Sequence, residues 1–322
     1  MRRLSARPLQ YTIILIILIL LPLLTTEYQQ NVLTFFFIYA TLALSYDILG
    51  GQMGYMNLGH GMFYGLGAYV FAILCKELLV LESPLIIAAL SFLATGFIVA
   101  CFGWLISFPF FRLRGFYFAV ATLGFISLIN LIVSSAELAW LTGGFTGISI
   151  PLSLSFLSNI TNSYYLALAV FIISTLILSK IINSKLGLAL TSIREDEDAA
   201  ESSGIDTTRY KRLAIFLSAL LAGYAGATYM WFQTHTNPRF VFSLDIAFLP
   251  ITMALLGGTG MILGPIIGAV IFTIVYQLLL TNIPAFTKLV IGSVLLCIGL
   301  AAPQGIVGVV RKIIRERAQR PR

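Results

Sequence analysis

The segment Ser184–Arg212, SKLGLALTSIREDEDAAESSGIDTTRYKR, is densely charged, whereas the sequence on both sides of it is almost free of charge. A polar stretch of this length between apolar runs has to lie in water, because charged side chains are costly in hydrocarbon. Within it, Ser192 and Glu195 have the S-x-x-E spacing of a capping box, and Gly204 is placed to end a helix in a left-handed conformation. The segment therefore predicts a short capped helix on the aqueous side of a membrane protein, either as a docking element or as a plain connector.

The composition is that of an integral membrane protein. Of the 322 residues, 59% are hydrophobic and 10% are charged, and the mean hydropathy is +0.96. A soluble domain carries about 25% charged residues. The apolar runs have the length that crosses ~30 Å of hydrocarbon as a helix, and they lack the alternation of barrel strands. The net charge of +7 is therefore a signal of membrane topology and not of nucleic-acid binding.

Ten apolar runs are candidate transmembrane helices, so the expected fold is an all-α membrane protein with about ten spans, and with eight as the lower limit. The runs are 9–25, 32–50, 57–80, 84–108, 115–134, 163–183, 212–234, 245–258, 262–281 and 285–302. The eighth run is short, contains Pro250 and ends in glycine. It is either a broken or re-entrant helix or a full span.

Basic residues predict the orientation of the chain in the membrane. With the N-terminus in the cytoplasm, only Lys76, Arg239 and Lys288 of the 20 Lys and Arg lie outside, as the positive-inside rule requires. Both termini and the segment 184–212 are then cytoplasmic, within a single transmembrane domain of residues 1–322. The basic start of the chain resembles a signal peptide, but no A-x-A-like cleavage site follows, so an uncleaved first helix is expected.

The sequence lacks motifs for catalysis. It contains no Gly-Lys dipeptide, so the phosphate loop G-x-x-x-x-G-K-[ST] cannot form, and ATP hydrolysis by that route is excluded. With His60 and His235 as the only histidines, an intramembrane enzyme is not expected. The three cysteines have neither a disulfide spacing nor a metal-ligand pattern. We therefore assign no catalytic residue, bound metal or cofactor to this chain.

Two ionisable side chains lie within or beside membrane runs. Asp47 is a carboxylate near the end of the second run, and His60 follows a glycine-rich break. A charge at the bilayer centre costs roughly 2.5–3.5 kcal/mol, so such groups usually face a cavity or a partner. The two residues are consistent with a proton or ion relay. Alternatively, Asp47 caps its helix or snorkels at the helix end, and His60 bonds a loop carbonyl.

The break itself, LGGQMGYMNLGH at Leu49–His60, combines four glycines with polar side chains between two runs. Broken helices of this kind expose backbone groups at membrane depth and line substrate pathways. A cytoplasmic hairpin turn is the alternative. The candidate pathway residues of this break and of the late glycine-rich run are Gly54, Asn57, Gly59, His60, Gly257 and Gly258.

Five sequence blocks together resemble the permeases of ABC importers for branched-chain amino acids. Gly54–Tyr69, GYMNLGHGMFYGLGAY, is similar to the family signature, and Leu249–Ala269 is similar to its late glycine-rich block. Leu113–Phe125 and Leu141–Ser149 resemble further blocks of the M-type permease, as distinct from its H-type partner. Leu186–Ala227 resembles the cytoplasmic coupling segment and the helix after it. The blocks follow the family's order over most of the chain.

The resemblance implies that the segment 184–212 docks on an ATP-binding subunit. The family spacing E-A-A-x-x-x-G is kept, but Asp198 replaces the glutamate and is one methylene shorter, which leaves a direct contact by this carboxylate open. The candidate coupling residues are Arg194, Glu195, Asp198, Ala199, Ala200 and Gly204. Asp47 stands where relatives commonly have a neutral polar residue such as asparagine, so the resemblance assigns it no role.

The resemblance further implies one permease subunit of an ATP-driven importer in a bacterial or archaeal cytoplasmic membrane. Leucine, isoleucine and valine are the leading substrates, with urea, short amides or other amino acids as alternatives. The expected partners are a second, H-type permease, two ABC ATPase subunits that use ATP and Mg, an extracytoplasmic binding protein and membrane lipid, but no nucleic acid. The alternatives from other classes are a proton-coupled secondary transporter that uses Asp47 and His60, and a structural membrane scaffold.

Overall fold

The protein is a bundle of α-helices. A computed structural model describes residues 7–80, 83–151, 153–154, 159–282, 292–293 and 305–308. The helices are α1 (Arg7–Leu24), α2 (Glu27–Asp47), α3 (Gly61–Glu77), α4 (Pro84–Phe110), α5 (Phe116–Ser134), α6 (Ala139–Thr142), α7 (Ile160–Ile182), α8 (Lys185–Glu195), α9 (Glu197–Ser202), α10 (Thr207–Gln233), α11 (Pro238–Val241), α12 (Leu244–Gly257) and α13 (Leu263–Asn282). A π-helical turn, Ile48–Gln52, continues α2, and 3₁₀ turns occupy Leu78–Val80 and Gly144–Thr146.

Among the described residues, six helical stretches are long and apolar enough to cross a membrane. They are Glu27–Gln52, Pro84–Phe110, Phe116–Ser134, Ile160–Ile182, Thr207–Gln233 and Pro238–Gly257. Leu15–Leu24 and Leu263–Leu279 are shorter apolar helices, and α3 has 17 residues. The prediction of an all-α membrane protein is confirmed. The count of ten spans and the orientation of the termini stay predictions, because the tenth run, 285–302, lies almost wholly outside the described residues.

The eighth run forms an unbroken helix. Pro250 lies inside α12, which is continuous from Leu244 to Gly257. Together with α11 it gives a stretch of 20 residues that is apolar enough to span. The run therefore reaches spanning length only together with α11, across the non-helical residues Phe242 and Ser243.

Two long helices form the centre of the bundle. In the most apolar 18 residues of each helix, 78% of the residues are buried in the α2 stretch and 72% in α10, compared with 33–39% in α4, α5 and α7. Helices α4, α5 and α7 therefore present most of their apolar side chains outward, as lipid-facing helices do. The central position of α2 and α10 means that a displacement of either helix reaches most of the bundle.

The two central helices run antiparallel. The hydroxyl of Ser218 on α10 donates to the carbonyl of Ser45 on α2 at 2.6 Å, and the rings of Phe35 and Phe232 lie 5.5 Å apart near the other end. The end of α2 at Asp47 therefore lies beside the start of α10. We call this end of the bundle, which carries the segment 184–212, the basic end.

The α12–α13 pair shows the close approach that glycines allow. A Cβ atom added to Gly264 would lie 1.7 Å from the carbonyl oxygen of Gly258, and one added to Gly257 would lie 1.7 Å from the carbonyl oxygen of Gly264. Small residues let helix backbones approach in this way. The two helices therefore meet backbone to backbone at the basic end.

A small antiparallel sheet ties the loops at the opposite end. Strands β1 (Ile148–Ser149) and β2 (His235–Thr236) pair Ile148 with Thr236 and Ser149 with His235. The Ser149 hydroxyl lies 2.8 Å from Nδ1 of His235. The long connection before α7 is thereby fixed to the end of α10.

Candidate functional site

The prediction that a helix begins with a capping box at Ser192 is wrong. Ser184 caps α8 instead, since its hydroxyl accepts from the Gly187 amide at 3.5 Å. Ser192 lies inside α8, where its hydroxyl donates to the Leu188 carbonyl. Asp196 is extended (φ −160°), breaks the helix and caps α9 by accepting from the Ala199 amide at 2.9 Å. An aspartate can cap a following helix as well as a serine, so two short helices form where one was expected.

The end of α9 follows the prediction. Gly204 has φ +86°, which is the left-handed conformation that glycine adopts without strain. The Ile205 amide donates to the Ala200 carbonyl at 3.1 Å across this turn, as in a Schellman motif. Asp206 then accepts from the Arg209 amide at 2.9 Å and caps α10. Each helix of the segment 184–212 therefore begins at a cap from its own sequence.

An ion-pair cluster fastens α9 to the bundle. Nζ of Lys211, on α10, lies 2.6 Å from Oε1 of Glu197. The Tyr55 hydroxyl donates to Oε2 of the same carboxylate, and the Lys211 ammonium lies 5.4 Å from the ring centres of both Tyr55 and Phe111. Charged hydrogen bonds and cation–π contacts satisfy the buried ammonium. The cluster joins α9, α10 and the connection before α3.

Arg114 extends the ion-pair cluster to the connection between α4 and α5. Its guanidinium lies 2.8 Å from Oδ1 of Asp198 and 3.6 Å from Oε1 of Glu197. Asp198, a candidate coupling residue, is thus paired within the chain. Because Arg114 and Asp198 are largely exposed, solvent screens this outer pair and it adds little to the stability of the fold.

The cluster shifts the pKa values of its own members. Burial raises the pKa of the Glu197 carboxyl, but hydrogen bonds from Lys211 and Tyr55, and the charges of Lys211 and Arg114, outweigh burial and hold that pKa below its ordinary value. Burial, followed by the hydrogen bond to Glu197 and its charge, raises the pKa of Tyr55. Glu197 is therefore ionised and Tyr55 protonated at neutral pH.

A second set of contacts lies where α2 ends. Oδ1 of Asp47 accepts from the Gly260 amide at 2.8 Å, and Oδ2 accepts from the side-chain amide of Gln52 at 3.3 Å. Nη1 of Arg194, on α8, donates to the Gly51 carbonyl at 2.8 Å. We call this meeting of α8, the π-helical turn and the α12–α13 turn the glycine junction. It is built from the three segments that the sequence singled out separately.

Glycine is required where Arg194 crosses the break. Gly54 has φ +78°, and a Cβ atom there would lie 2.6 Å from Cγ of Arg194. The stem of Arg194 therefore packs directly on the backbone of the break. The sequence predicted Arg194 as a contact to a partner, whereas its guanidinium reaches inward to Gly51 as well as to Glu195, at 3.2 Å.

The other candidate coupling residues are distributed over both faces of the segment 184–212. Glu195, Asp198, Ala199 and Gly204 are exposed at the basic end. Ala200 is buried and packs inside the chain. The residues available for contact with another protein are therefore fewer than the sequence pattern indicated.

The candidate pathway residues of the break are mostly buried. Asn57 accepts from the Gly59 amide at 3.1 Å, and Nε2 of His60 lies 2.8 Å from the Ser45 hydroxyl. Within the described part of the chain, Nδ1 of His60 and the side-chain nitrogen of Asn57 are buried without a hydrogen-bond partner. Buried polar groups of this kind are expected to bind an ordered water. Gly54, in contrast, is exposed at the basic end.

Gly257 and Gly258, from the late glycine-rich run, are buried and lie in the α12–α13 contact. The turn that follows them meets the end of α2 and the break, because the Gly260 amide donates to Asp47 and Gly260 lies against Gly51. The geometry brings the two predicted glycine segments together through the hydrogen bond between Asp47 and Gly260, whereas the sequence suggested a functional role for Asp47 only as part of a relay with His60.

Sequence reasoning also missed Glu197, Lys211, Arg114 and Tyr55 as a group. Glu197 and Lys211 are 14 residues apart, but Tyr55 is 142 residues from Glu197. The available signal was Lys211 at the start of an apolar run, because an ammonium there needs a nearby carboxylate or water. Within the described residues, no group of three or more His, Cys, Asp or Glu could hold a metal ion.

The arrangement as a whole is suited to mechanical coupling. It is made of hydrogen bonds and ion pairs that join an exposed segment to the ends of buried helices. Rigid-body movements of such packed elements are a common means of switching. A force applied to α8 or α9 would reach α2, α10 and α12 through named contacts.

Comparison with known proteins gives one family. Residues 28–299 match the family described as "Branched-chain amino acid transport system / permease component". Two relatives are the high-affinity branched-chain amino acid transport system permease proteins LivM of Salmonella typhimurium, 29% identical, and of Escherichia coli, 28% identical. Both alignments cover 92% of this chain and 74% of the relative.

A second kind of relative is also similar. The high-affinity branched-chain amino acid transport system permease protein LivH of Salmonella typhimurium is 27% identical over 84% of this chain and 91% of the relative. No solved structure matches the chain. The likeness therefore extends to two differently named permease proteins across most of the helical bundle.

Proposed function

We propose, since this chain belongs to the family of branched-chain amino acid transport system permease components, that it is a membrane permease subunit of an ATP-driven ABC importer. The observation that carries the proposal is the family match over residues 28–299, which extends from α2 through α13. The long apolar helices agree with a multi-pass membrane subunit. The chain supplies the pathway, and separate subunits supply the energy.

The proposed substrates are leucine, isoleucine and valine. LivM and LivH relatives are named for branched-chain amino acid transport, and the family carries the same description. Urea and short amides are the alternative substrates. A competition assay separates them, because an importer for branched-chain amino acids takes up leucine in the presence of excess urea but not of excess isoleucine.

The proposed energy source is a pair of ABC ATPase subunits that dock on the segment 184–212. A groove of about 390 Å³ follows α8 to the start of α10. Leu188, which is 70% exposed, lines it together with Lys185, Asp206 and Arg209. An exposed apolar anchor with a charged rim is the usual anatomy of a protein interface. These features support a docking surface for a soluble partner.

The ion-pair cluster supports the transmission of movement from such a partner. Glu197 lies on α9, next to the proposed docking surface, and Lys211 lies on the central helix α10. Closure of the ATPase subunits on ATP and Mg would displace α8 and α9. The displacement would then tilt α10 and open the pathway to each side in turn.

The remaining partners follow from the same proposal. Similarity to both LivM and LivH favours pairing with a second, H-type permease. An extracytoplasmic binding protein would deliver the substrate, and lipid would surround the outer helices. We place the subunit in a bacterial or archaeal cytoplasmic membrane, with ten spans and both termini in the cytoplasm.

The proton-coupled transporter is the rival function. It needs Asp47 and His60 to exchange a proton. In the described residues Asp47 is bonded to Gln52 and Gly260, and His60 to Ser45, so no hydrogen bond joins the two side chains. The separate partners favour the importer.

The test is uptake by proteoliposomes that contain the chain together with the subunits that copurify with it. Labelled leucine and the binding protein are added outside, and ATP is enclosed or omitted. We expect uptake that requires enclosed ATP and persists in the presence of a proton ionophore. Uptake that is independent of ATP and abolished by the ionophore would reject the importer in favour of the secondary transporter.

A further inference from the structure

Asp47 and Arg194 belong to two hydrogen-bonded contacts that meet at one point of the chain. The Arg194 guanidinium bonds the Gly51 carbonyl, and the Asp47 carboxylate bonds the Gly260 amide. A Cβ atom added to Gly260 would lie 3.2 Å from Nη1 of Arg194 and 3.4 Å from the Gly51 carbonyl oxygen. The two contacts are therefore immediate neighbours, although they join segments 143 and 213 residues apart.

We infer that Asp47 and Arg194 form a latch that couples the segment 184–212 to the ends of α2 and α12, so that these elements move as one body during transport. The inference rests on the proposed function and adds positioning residues to it. Asp47 is the acceptor on the buried side, and Arg194 is the donor on the aqueous side.

The first step of the argument is that Asp47 is fully buried, at 0% exposure. A carboxylate in that position is expensive unless its oxygens are bonded. Each oxygen has one donor, from Gln52 and from Gly260. The carboxylate therefore holds the α12–α13 turn against the π-helical turn, and Asp47 makes no side-chain capping bond at the start of the π-helical turn.

The second step concerns the lack of free space at the latch. A Cβ atom added to Gly51 would lie 2.0 Å from Oδ1 of Asp47 and 2.5 Å from the Gly260 amide nitrogen. Backbones packed this closely cannot slide independently. If the π-helical turn is displaced, either the α12–α13 turn must move with it or the hydrogen bond between Asp47 and Gly260 must break.

The third step links the latch to the proposed docking surface. Arg194 lies in the last turn of α8, six residues after Leu188, and its stem packs on Gly54. The guanidinium bonds a backbone carbonyl, so its partner cannot rotate away as a side chain would. Movement of α8 is therefore transmitted directly to the π-helical turn at the end of the central helix α2.

The experiment measures leucine uptake and ATP hydrolysis in the same proteoliposomes, with the complete chain and its copurifying subunits. In Asp47→Leu, we expect hydrolysis within about twofold of wild type and at least a fivefold fall in leucine transported per ATP hydrolysed. Asp47→Asn keeps an oxygen acceptor for the Gly260 amide and should stay within about twofold of wild type in both quantities.

Arg194→Met is the second variant, and it decides the question if Asp47→Leu does not fold. Methionine keeps an aliphatic stem on Gly54 but removes the donor, so the same fall in transport per ATP is expected. Arg194→Lys keeps a donor, so it should recover at least half of the leucine transport per ATP that Arg194→Met loses. If both losses come from one latch, the double variant Asp47→Leu with Arg194→Met falls no further than the worse single variant.

The outcomes separate the latch from the proposed function. Wild-type uptake that does not need ATP rejects the proposed function, and the latch with it. ATP-driven wild-type uptake together with an unchanged ratio in Arg194→Met and Asp47→Leu overturns the latch alone. A parallel loss of hydrolysis and uptake also overturns it, because that result assigns the two residues to folding or docking.

Discussion

Nζ of Lys211 lies 2.6 Å from Oε1 of Glu197, and only 4% and 13% of the two side chains are exposed. The Tyr55 hydroxyl donates to the second oxygen of the same carboxylate. Removal of one partner from such an enclosed pair leaves the other charge without compensation. The stability of the basic end therefore depends on both residues together.

Glu197→Gln is expected to lower the free energy of unfolding by roughly 2–3 kcal/mol, because the Lys211 ammonium would stay buried opposite a neutral amide. In a chain of this size the loss corresponds to a fall in Tm of about 3–4 °C. Thermal unfolding of the purified protein in detergent, followed by intrinsic fluorescence, measures it. Glu201→Gln, at an exposed position of the same helix, is the matched control and should leave Tm unchanged. Equal Tm values for both variants would contradict the prediction.

The same pair predicts a dependence of stability on pH. The pKa of Glu197 is lower in the folded chain than in the unfolded chain. Its ionisation therefore stabilises the fold above the unfolded pKa, and this stabilisation is lost as the pH falls through the lowered folded pKa. The Tm difference between wild type and Glu197→Gln should be constant above about pH 6 and should shrink toward pH 3. A difference that does not change over this range would show that the carboxylate pKa is not lowered.

Leu188→Asp is expected to weaken docking of the ATPase subunits without affecting the fold, because Leu188 is exposed on α8. Loss of an apolar anchor of about 1.5–2 kcal/mol corresponds to roughly 10–30-fold weaker binding. Quantitative pull-down of the ATPase subunits with tagged permease gives the affinity. Leu188→Met, which keeps the apolar contact, is the control. If the Leu188→Asp variant recovers as much of the ATPase subunits as wild type does, Leu188 is not part of the interface.

Gly264→Ala is expected to destabilise the α12–α13 pair by about 3 kcal/mol or more, because the new methyl group would lie 1.7 Å from the Gly258 carbonyl oxygen. Gly124→Ala, inside α5, meets no atom within 4 Å and should be neutral or stabilise by up to about 1 kcal/mol. The Tm values of both variants test the pair of statements. A tolerated Gly264→Ala would mean that the two backbones can separate.

The membrane helices were predicted closely because an apolar run of about 20 residues can be read directly from the sequence. The fourth run was predicted at 84–108, and α4 is Pro84–Phe110. The seventh run was predicted to begin at 212, whereas α10 begins at Thr207. The difference arises because Asp206 caps the helix and its first turn is polar, so hydropathy alone does not detect that turn.

The sequence predicted where the exposed charges of the segment 184–212 lie, but not which residues they contact. The exposed charge of the segment 184–212 follows from local composition, which a single sequence displays. The partners of Glu197 and Asp47 depend on which helices are neighbours in space, and that relation has no local signature. The break at Asp196 was missed for a different reason, since several residues of the segment can serve as caps and only packing selects among them.

The bond between Asp47 and Gly260 also has a consequence for biosynthesis. Its two residues are separated by 213 positions, and chains are synthesised at about 5–20 residues per second. Asp47 therefore enters the membrane about 10–40 s before its partner amide exists. During that interval the nascent chain has to keep a carboxylate in contact with water, lipid headgroups or the insertion machinery. The basic end of the bundle can close around Asp47 only after the α12–α13 turn has left the ribosome.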